Sequence, residues 1–157
     1  MSKHVLVAYF SATGVTERTA RELAQAVGGD LYEIAPAQPY TPADLNWMDK
    51  GSRSTLEMKD PACRPAIAAP AGNMDQYDTA FIGFPVWWYV EPRIVDTFLE
   101  QCDFSGKTVI PFATSGGSGI AGAEERMKQL CPEAHWLPGR LLNGAGGASW
   151  AKSLVHD

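Results

Sequence analysis

The chain has 157 residues, enough for one domain with a sizeable core, expected to span residues 1–157. Its 45% hydrophobic and 20% charged residues are those of an ordinary globule. Lys+Arg 13 against Asp+Glu 18 gives a net charge of −5, which argues against nucleic acid and anionic membrane surfaces as partners. No apolar run approaches the roughly 20 residues that span a bilayer. Residues 1–4 lead directly into a strand-like run with no room for a signal peptide, so a cytoplasmic protein is expected. Cys63, Cys102 and Cys131 are odd in number and lack C-x-x-C spacing, as reduced, incidental thiols would.

Residues 5–10 (VLVAYF) read as a strand buried on both faces. A helix follows from near Thr16, with Ala20, Leu23, Ala24 and Val27 on one side and Gly28-Gly29 as its stop. Residues 31–35 form a second strand. Residues 36–78 are too long for a plain connection. Thr41-Pro42-Ala43-Asp44 carries a helix start, and Ser54-Thr55-Leu56-Glu57 matches a capping box, so one or two short helices are expected there, before a return through Pro61, Pro65 and Pro70. Residues 79–84 form a third strand. Its helix has Pro92 near the first turn and Ile94, Val95, Phe98 and Leu99 facing inward.

Residues 108–113 form a fourth strand despite Pro111, which must occupy an irregular or unpaired position because it has no amide to donate. Ile120, Ala123, Met127 and Leu130 mark the next helix. Residues 136–142 hold a short fifth strand interrupted by Pro138-Gly139, and residues 148–155 a terminal helix. This βα alternation predicts a parallel sheet with helices on both faces.

Three loops leave the carboxyl ends of strands with unusual composition. Ser11-Ala12-Thr13-Gly14-Val15-Thr16 collects hydroxyls and amides at a helix N-terminus, which suits a compact phosphate held by neutral donors. Its lack of a lysine separates it from a nucleotide-triphosphate loop. Pro85-Val86-Trp87-Trp88-Tyr89 supplies an aromatic wall, with Trp87 slightly preferred as the stacking ring. Thr114-Ser115-Gly116-Gly117-Ser118-Gly119 supplies a polar rim. If strands one, three and four are neighbours, the loops meet and suit a flat heteroaromatic ring with a phosphate tail.

Taken singly, each loop has a plainer reading: a helix cap, core or dimer-contact aromatics, and a turn. A low-molecular-weight phosphatase is excluded because residues 5–18 contain no cysteine nucleophile. His4, His135 and His156 lack metal-ligand spacing, and no metal is expected. Arg53 and Arg64 default to solvated surface charges, although both could approach a ligand. Asp44, Asp49, Glu57 and Asp60 form either a partner-facing or a solvated edge.

Across nearly the whole chain, these motifs resemble the flavodoxins. Residues 11–16 are similar to their Thr/Ser-x-Thr-Gly-x-Thr phosphate loop. Residues 84–89 and 114–119 resemble the Pro-hydrophobic-Trp-Trp and Thr-Ser-Gly-Gly-Ser loops of one flavodoxin-like branch. The resemblance implies a flavodoxin-like three-layer α/β sandwich, a five-stranded parallel sheet in the order 2-1-3-4-5 that flavodoxins themselves exemplify, and noncovalent FMN. It implies phosphate contacts from Ser11, Thr13, Gly14, Val15 and Thr16. Ring contacts would come from Pro85, Val86, Trp87, Trp88 and Tyr89, and pyrimidine-edge contacts from Thr114, Ser115, Gly116, Gly117 and Gly119. Two departures stand out. The aromatic loop lacks the glycine that flavodoxins place beside flavin N5, and the third loop lacks their usual stacking tyrosine, which leaves one flavin face open or covered by a residue such as Trp47.

The function implied is electron carriage between redox partner proteins, a reductase and an acceptor, by a monomer or weak dimer. The alternative is an FMN-dependent NAD(P)H oxidoreductase of the quinone-reductase kind, in which the hydride donor stacks on an open flavin face. A flavin-free interaction domain is the third reading.

Overall fold

The computed structural model describes residues 4–12, 14–46, 48–69, 74–88, 90–114, 119–142 and 147–155. The elements are β1 (Val5–Tyr9), α1 (Val15–Val27), β2 (Asp30–Glu33), α2 (Arg53–Lys59), β3 (Thr79–Pro85), α3 (Arg93–Gln101), β4 (Thr108–Thr114), α4 (Ala121–Leu130), β5 (His135–Trp136), β6 (Arg140–Leu141) and α5 (Gly147–Leu154). A 3₁₀ turn lies at Met74–Gln76. All strand pairs are parallel, in the order β2-β1-β3-β4-β5, with β6 also on β4.

Strand alternation builds the three layers. Leu6 and Ala8 of β1, Ala80 and Ile82 of β3 and Val109 and Ala113 of β4 pack with α3 and α4 through Ile94, Val95, Phe98, Leu99, Ala123 and Met127. Val5, Val7, Phe81, Ile110 and Phe112 point the opposite way, onto Ala20, Leu23 and Ala24 of α1 and Ala151 of α5. A strand covered on both sides needs apolar residues at successive positions, which is why β1 is an unbroken apolar run. Each such large side chain contributes about 1.5–3 kcal/mol on burial.

Pro111 sits where its missing amide costs least. Val109 and Ala113 accept from the Leu137 and Leu142 amides, so the odd positions of β4 face the β5–β6 side. Pro111 therefore faces the gap between β5 and β6, and its pairing with Ile82 of β3 is undisturbed. Gly139 lies in that gap. A Cβ there would come 2.4 Å from the Pro111 carbonyl oxygen, and its amide donates instead to a Glu124 carboxylate oxygen at 2.9 Å. Pro111 and the Pro138-Gly139 break are thus two sides of one irregularity.

The 36–78 connection closes on itself. Ala37 N–H donates to the Ala66 carbonyl, and Ala68 N–H to that of Ala35, each at 2.8 Å, around an antiparallel bridge between Pro36 and Ile67. Thr41 and Asp44 cap one another within a turn rather than starting a regular helix. The second expected helix is α2, but its N-cap is Ser52, whose hydroxyl accepts from Thr55 N–H, and not Ser54. Ser54 is already inside the helix and buried.

Gly83 shows how tightly the sheet and its cover fit. It is paired with Phe112, whose fully buried ring lies over it, so an added Cβ would meet ring atoms at 2.1 Å. Gly83→Ala should lower stability by about 1–3 kcal/mol through overpacking, read as a lower urea midpoint at unchanged slope.

Candidate functional site

The carboxyl ends of β1, β3 and β4 lie side by side, as their parallel register requires. At the end of β1, Gly14 caps α1 with φ 93, a left-handed conformation that glycine adopts without a Cβ penalty. Its N–H donates to the Ser11 hydroxyl oxygen at 3.0 Å, which leaves the Ser11 proton free to be given outward. Among the described residues no side chain caps α1, and Val15 in its first turn is 53% exposed. The open amides and the positive end of the helix dipole make an anion seat. Thr16 is buried, and its hydroxyl bonds that of Thr114 at 2.8 Å, so its backbone amide, rather than its side chain, belongs to that seat. Thr13 lies outside the described residues.

At the end of β3, Val86 N–H donates to the Thr114 carbonyl at 3.0 Å, tying the aromatic loop to β4. Trp87 and Val90 exchange backbone hydrogen bonds at 2.9 and 3.1 Å, closing a tight turn. Trp88 stands in that turn at φ 49, which costs a bulky residue about 1–2 kcal/mol. The residue is 43% exposed. Trp87, in contrast, is half-buried and meets both Phe10 and Tyr40 edge-on, with centroids 5.6 Å apart in each case. Of the two indoles, Trp88 offers the freer face, whereas Trp87 joins the loop to the body of the protein. Tyr89 and Trp47 lie outside the described residues, as do Ser115, Gly116 and Gly117. Gly119, at the far end of the third loop, is exposed.

Tyr40 carries no local signal of a role at this site. Its ring meets Phe10 and Trp87, the Arg53 guanidinium lies over it at 3.8 Å, and its hydroxyl donates to Glu57. Burial first, then the Glu57 carboxylate, pushes this phenol far above its ordinary range. The 36–67 excursion thereby becomes a wall of the site. Arg53 is no solvated charge: it bonds Glu57 at 3.0 Å and the Gln38 carbonyl at 2.7 Å. Arg64 likewise pairs with Glu100 at 2.9 Å. The thiols of Cys102 and Cys131 are pushed by burial up to about 11 and about 12, and all three cysteines are free.

The parallel sheet in the order β2-β1-β3-β4-β5 with helices on both faces is a flavodoxin-like α/β fold. The sequence model of the flavodoxin family matches residues 4–156, and the chain belongs to that family. The chain is 54% identical to a flavoprotein candidate from Bacteroides eggerthii DSM 20697, with a TM-score of 0.91 over 94% of this chain and 92% of that one. A second, from Bacteroides uniformis ATCC 8492, is 52% identical with a TM-score of 0.91 over 98% of each chain. The fold also matches, at 19% identity and a TM-score of 0.76, a Lactobacillus acidophilus NCFM flavoprotein in complex with FMN, over 96% of this chain and 100% of that one. No curated protein matches the chain.

The buried Thr16–Thr114 pair can be tested by paired substitution. Thr114→Val strands the Thr16 hydroxyl and should cost about 1–3 kcal/mol, whereas Thr16→Val with Thr114→Val should recover most of that loss. Urea midpoints of the three variants provide the comparison.

Proposed function

We propose that this protein is a flavodoxin-type carrier that holds FMN noncovalently and moves electrons between a reductase and an acceptor protein in the cytoplasm. The observation that carries the reading is the convergence of an uncapped α1 N-terminus, an exposed Trp88 ring and the polar end of β4. The donor set fits the cofactor. Ser11, Thr13, Gly14, Val15 and Thr16 offer neutral donors to a phosphate, and the helix start favours its charge. Pro85, Val86, Trp87, Trp88 and Tyr89 offer an apolar wall. Thr114, Ser115, Gly116, Gly117 and Gly119 offer polar contacts to the ring edge. Bound FMN supplies the electron chemistry, and the protein sets its binding, orientation and surroundings.

Within that reading, Trp88 shields one ring face from water and Trp87, braced by Phe10 and Tyr40, holds the turn in place. The nearby Arg53 is already paired with Glu57. With a net charge of −5, the chain offers little compensation for negative charge gained on the ring, which favours a strongly reducing carrier.

The protein titrated with FMN should bind it and shift its absorbance. NADPH alone should leave that spectrum unchanged, while NADPH with a flavodoxin reductase should bleach it. Bleaching by NAD(P)H without a reductase would instead establish the oxidoreductase reading, and a failure to bind FMN would end both. Trp88→Gly removes the proposed cover. FMN affinity should fall by roughly 5- to 150-fold, matching the about 1–3 kcal/mol lost when an aromatic stacked on a nucleobase is removed. Stability should hold within about 1 kcal/mol, because relief of the left-handed strain offsets the added chain entropy.

A further inference from the structure

The end of α2 is clamped from a distant part of the chain. A helix leaves its last carbonyls without partners one turn further on. In α2, the carbonyls of Glu57 and Met58 accept from Nε and Nη2 of Arg93 at 3.3 and 2.8 Å. Arg93 opens α3 and is 4% exposed, and its Nη1 faces Asp96 Oδ2 at 3.8 Å as an ion pair rather than a hydrogen bond. Asp96 is itself fully buried and accepts from Arg126 Nη2 of α4 at 3.1 Å, while Arg126 Nε stands 3.5 Å from the buried Glu91. A guanidinium suits this position, because its fixed fork can address two carbonyls at once, which an ammonium cannot.

The aromatic wall is held by the same short helix. The Glu57 carboxylate accepts the Tyr40 hydroxyl at Oε1 and Arg53 Nε at Oε2, the latter at 3.0 Å, and the Arg53 guanidinium lies over the Tyr40 ring. Tyr40, Phe10 and Trp87 form a closed triangle, each pair edge-on with centroids 5.6 Å apart. Phe10 immediately precedes the Ser11 loop, and Trp87 opens the turn that carries Trp88. Contacts therefore run without a break from Asp96 through Arg93, Glu57 and Tyr40 to Trp87.

Arg93, Thr97 and Glu100 recur at helical spacing along α3, and all three bond the excursion. Thr97 donates to the Pro65 carbonyl at 2.9 Å and Glu100 pairs with Arg64 at 2.9 Å, which seats the return limb. Arg93 alone of the three reaches α2. Its loss should thus free α2 while the return limb stays in place.

We propose that Arg93 is a positioning residue for flavin binding: by clamping the end of α2 it fixes Glu57, and through Glu57 the Tyr40 ring that backs Trp87. The inference rests on the FMN reading above. A chain without the clamp holds the wall closed for only part of the time, and its apparent dissociation constant rises by the reciprocal of that fraction.

The test is a double-mutant cycle on the FMN dissociation constant, with Arg93→Met, Tyr40→Leu and the two combined, each shown to be folded by far-UV circular dichroism. Methionine keeps much of the side-chain length and removes every donor. Each single variant should weaken FMN binding by about 2- to 13-fold, equivalent to the about 0.5–1.5 kcal/mol of one edge-to-face aromatic pair. The combined variant should bind no more than about twofold more weakly than Tyr40→Leu, because the clamp then has no ring left to position. Fluorine NMR of 5-fluorotryptophan-labelled protein without FMN gives a second reading. The Trp87 resonance, identified by its loss in Trp87→Phe, should move in Arg93→Met, while that of Trp150, packed on Phe81 at the other face of the sheet, should not. If Arg93→Met does not fold, Arg93→Lys, which keeps a charge beside Asp96 but lacks the fork, goes through the same measurements. Wild-type affinity in Tyr40→Leu or in the Arg93 variant, equal losses in both backgrounds, or an unmoved Trp87 resonance overturns the role of Arg93 and leaves the FMN reading intact. Failure of the wild type to bind FMN overturns both.

Discussion

Thr114 is the residue on which the arrangement of the site depends. Its hydroxyl reaches back to Thr16 at the start of α1, and its carbonyl receives the Val86 amide at the base of the aromatic turn. One residue at the end of β4 thus ties together the loops after β1, β3 and β4. This is possible only because the parallel register sets Tyr9 opposite Gly83, and Pro85 opposite Thr114, at one edge of the sheet. An antiparallel β3 would carry its loop to the far edge, and no side-chain choice could bring the three loops together again.

Polar groups buried behind that edge are costly, and several of them find partners in distant segments. The Thr16–Thr114 pair spans 98 positions of chain, and the Arg93 contacts to α2 span 36 and 35. Such groups contribute modest net stability when satisfied, but each is expensive to orphan. They therefore specify which loop arrangement is allowed more than they deepen the overall minimum. The strained backbone at Trp88 belongs to the same economy, since a left-handed tryptophan persists only where the closing pair at Trp87 and Val90 over-determines it.

The sheet was legible because local pattern and tertiary role coincide there. β1, β3 and β4 are apolar runs since both faces are covered, and α1 shows its stripe because only one side meets the sheet. Even the break in the fifth strand was readable, as proline and glycine dictate backbone behaviour on their own. The meaning of Pro111 became clear only beside Gly139, which fills the same gap from the neighbouring strand. Of the site residues, Thr13, Tyr89, Ser115, Gly116 and Gly117 lie outside the described residues. Of the described ones, Pro85 and Thr114 end β3 and β4, Val15 and Thr16 begin α1, and Gly119 lies just before α4.

The excursion was not legible, for a physical reason. Arg53, Glu57 and Arg64 look like surface charges in any local window, and Ser54 has the better capping-box pattern than Ser52. What decides their fate is distant: Arg93 holds the carbonyls of α2, Arg64 pairs with Glu100, and Tyr40 finds Phe10 and Trp87. Glu91 and Asp96 escaped notice in the same way, because Arg126 arrives on Asp96 from 30 positions away. The residues hidden from sequence reading are thus those that connect the excursion, the aromatic turn and α4. Local propensity can build a strand or a helix, but it cannot announce a charge that becomes internal only after three such elements have closed over it.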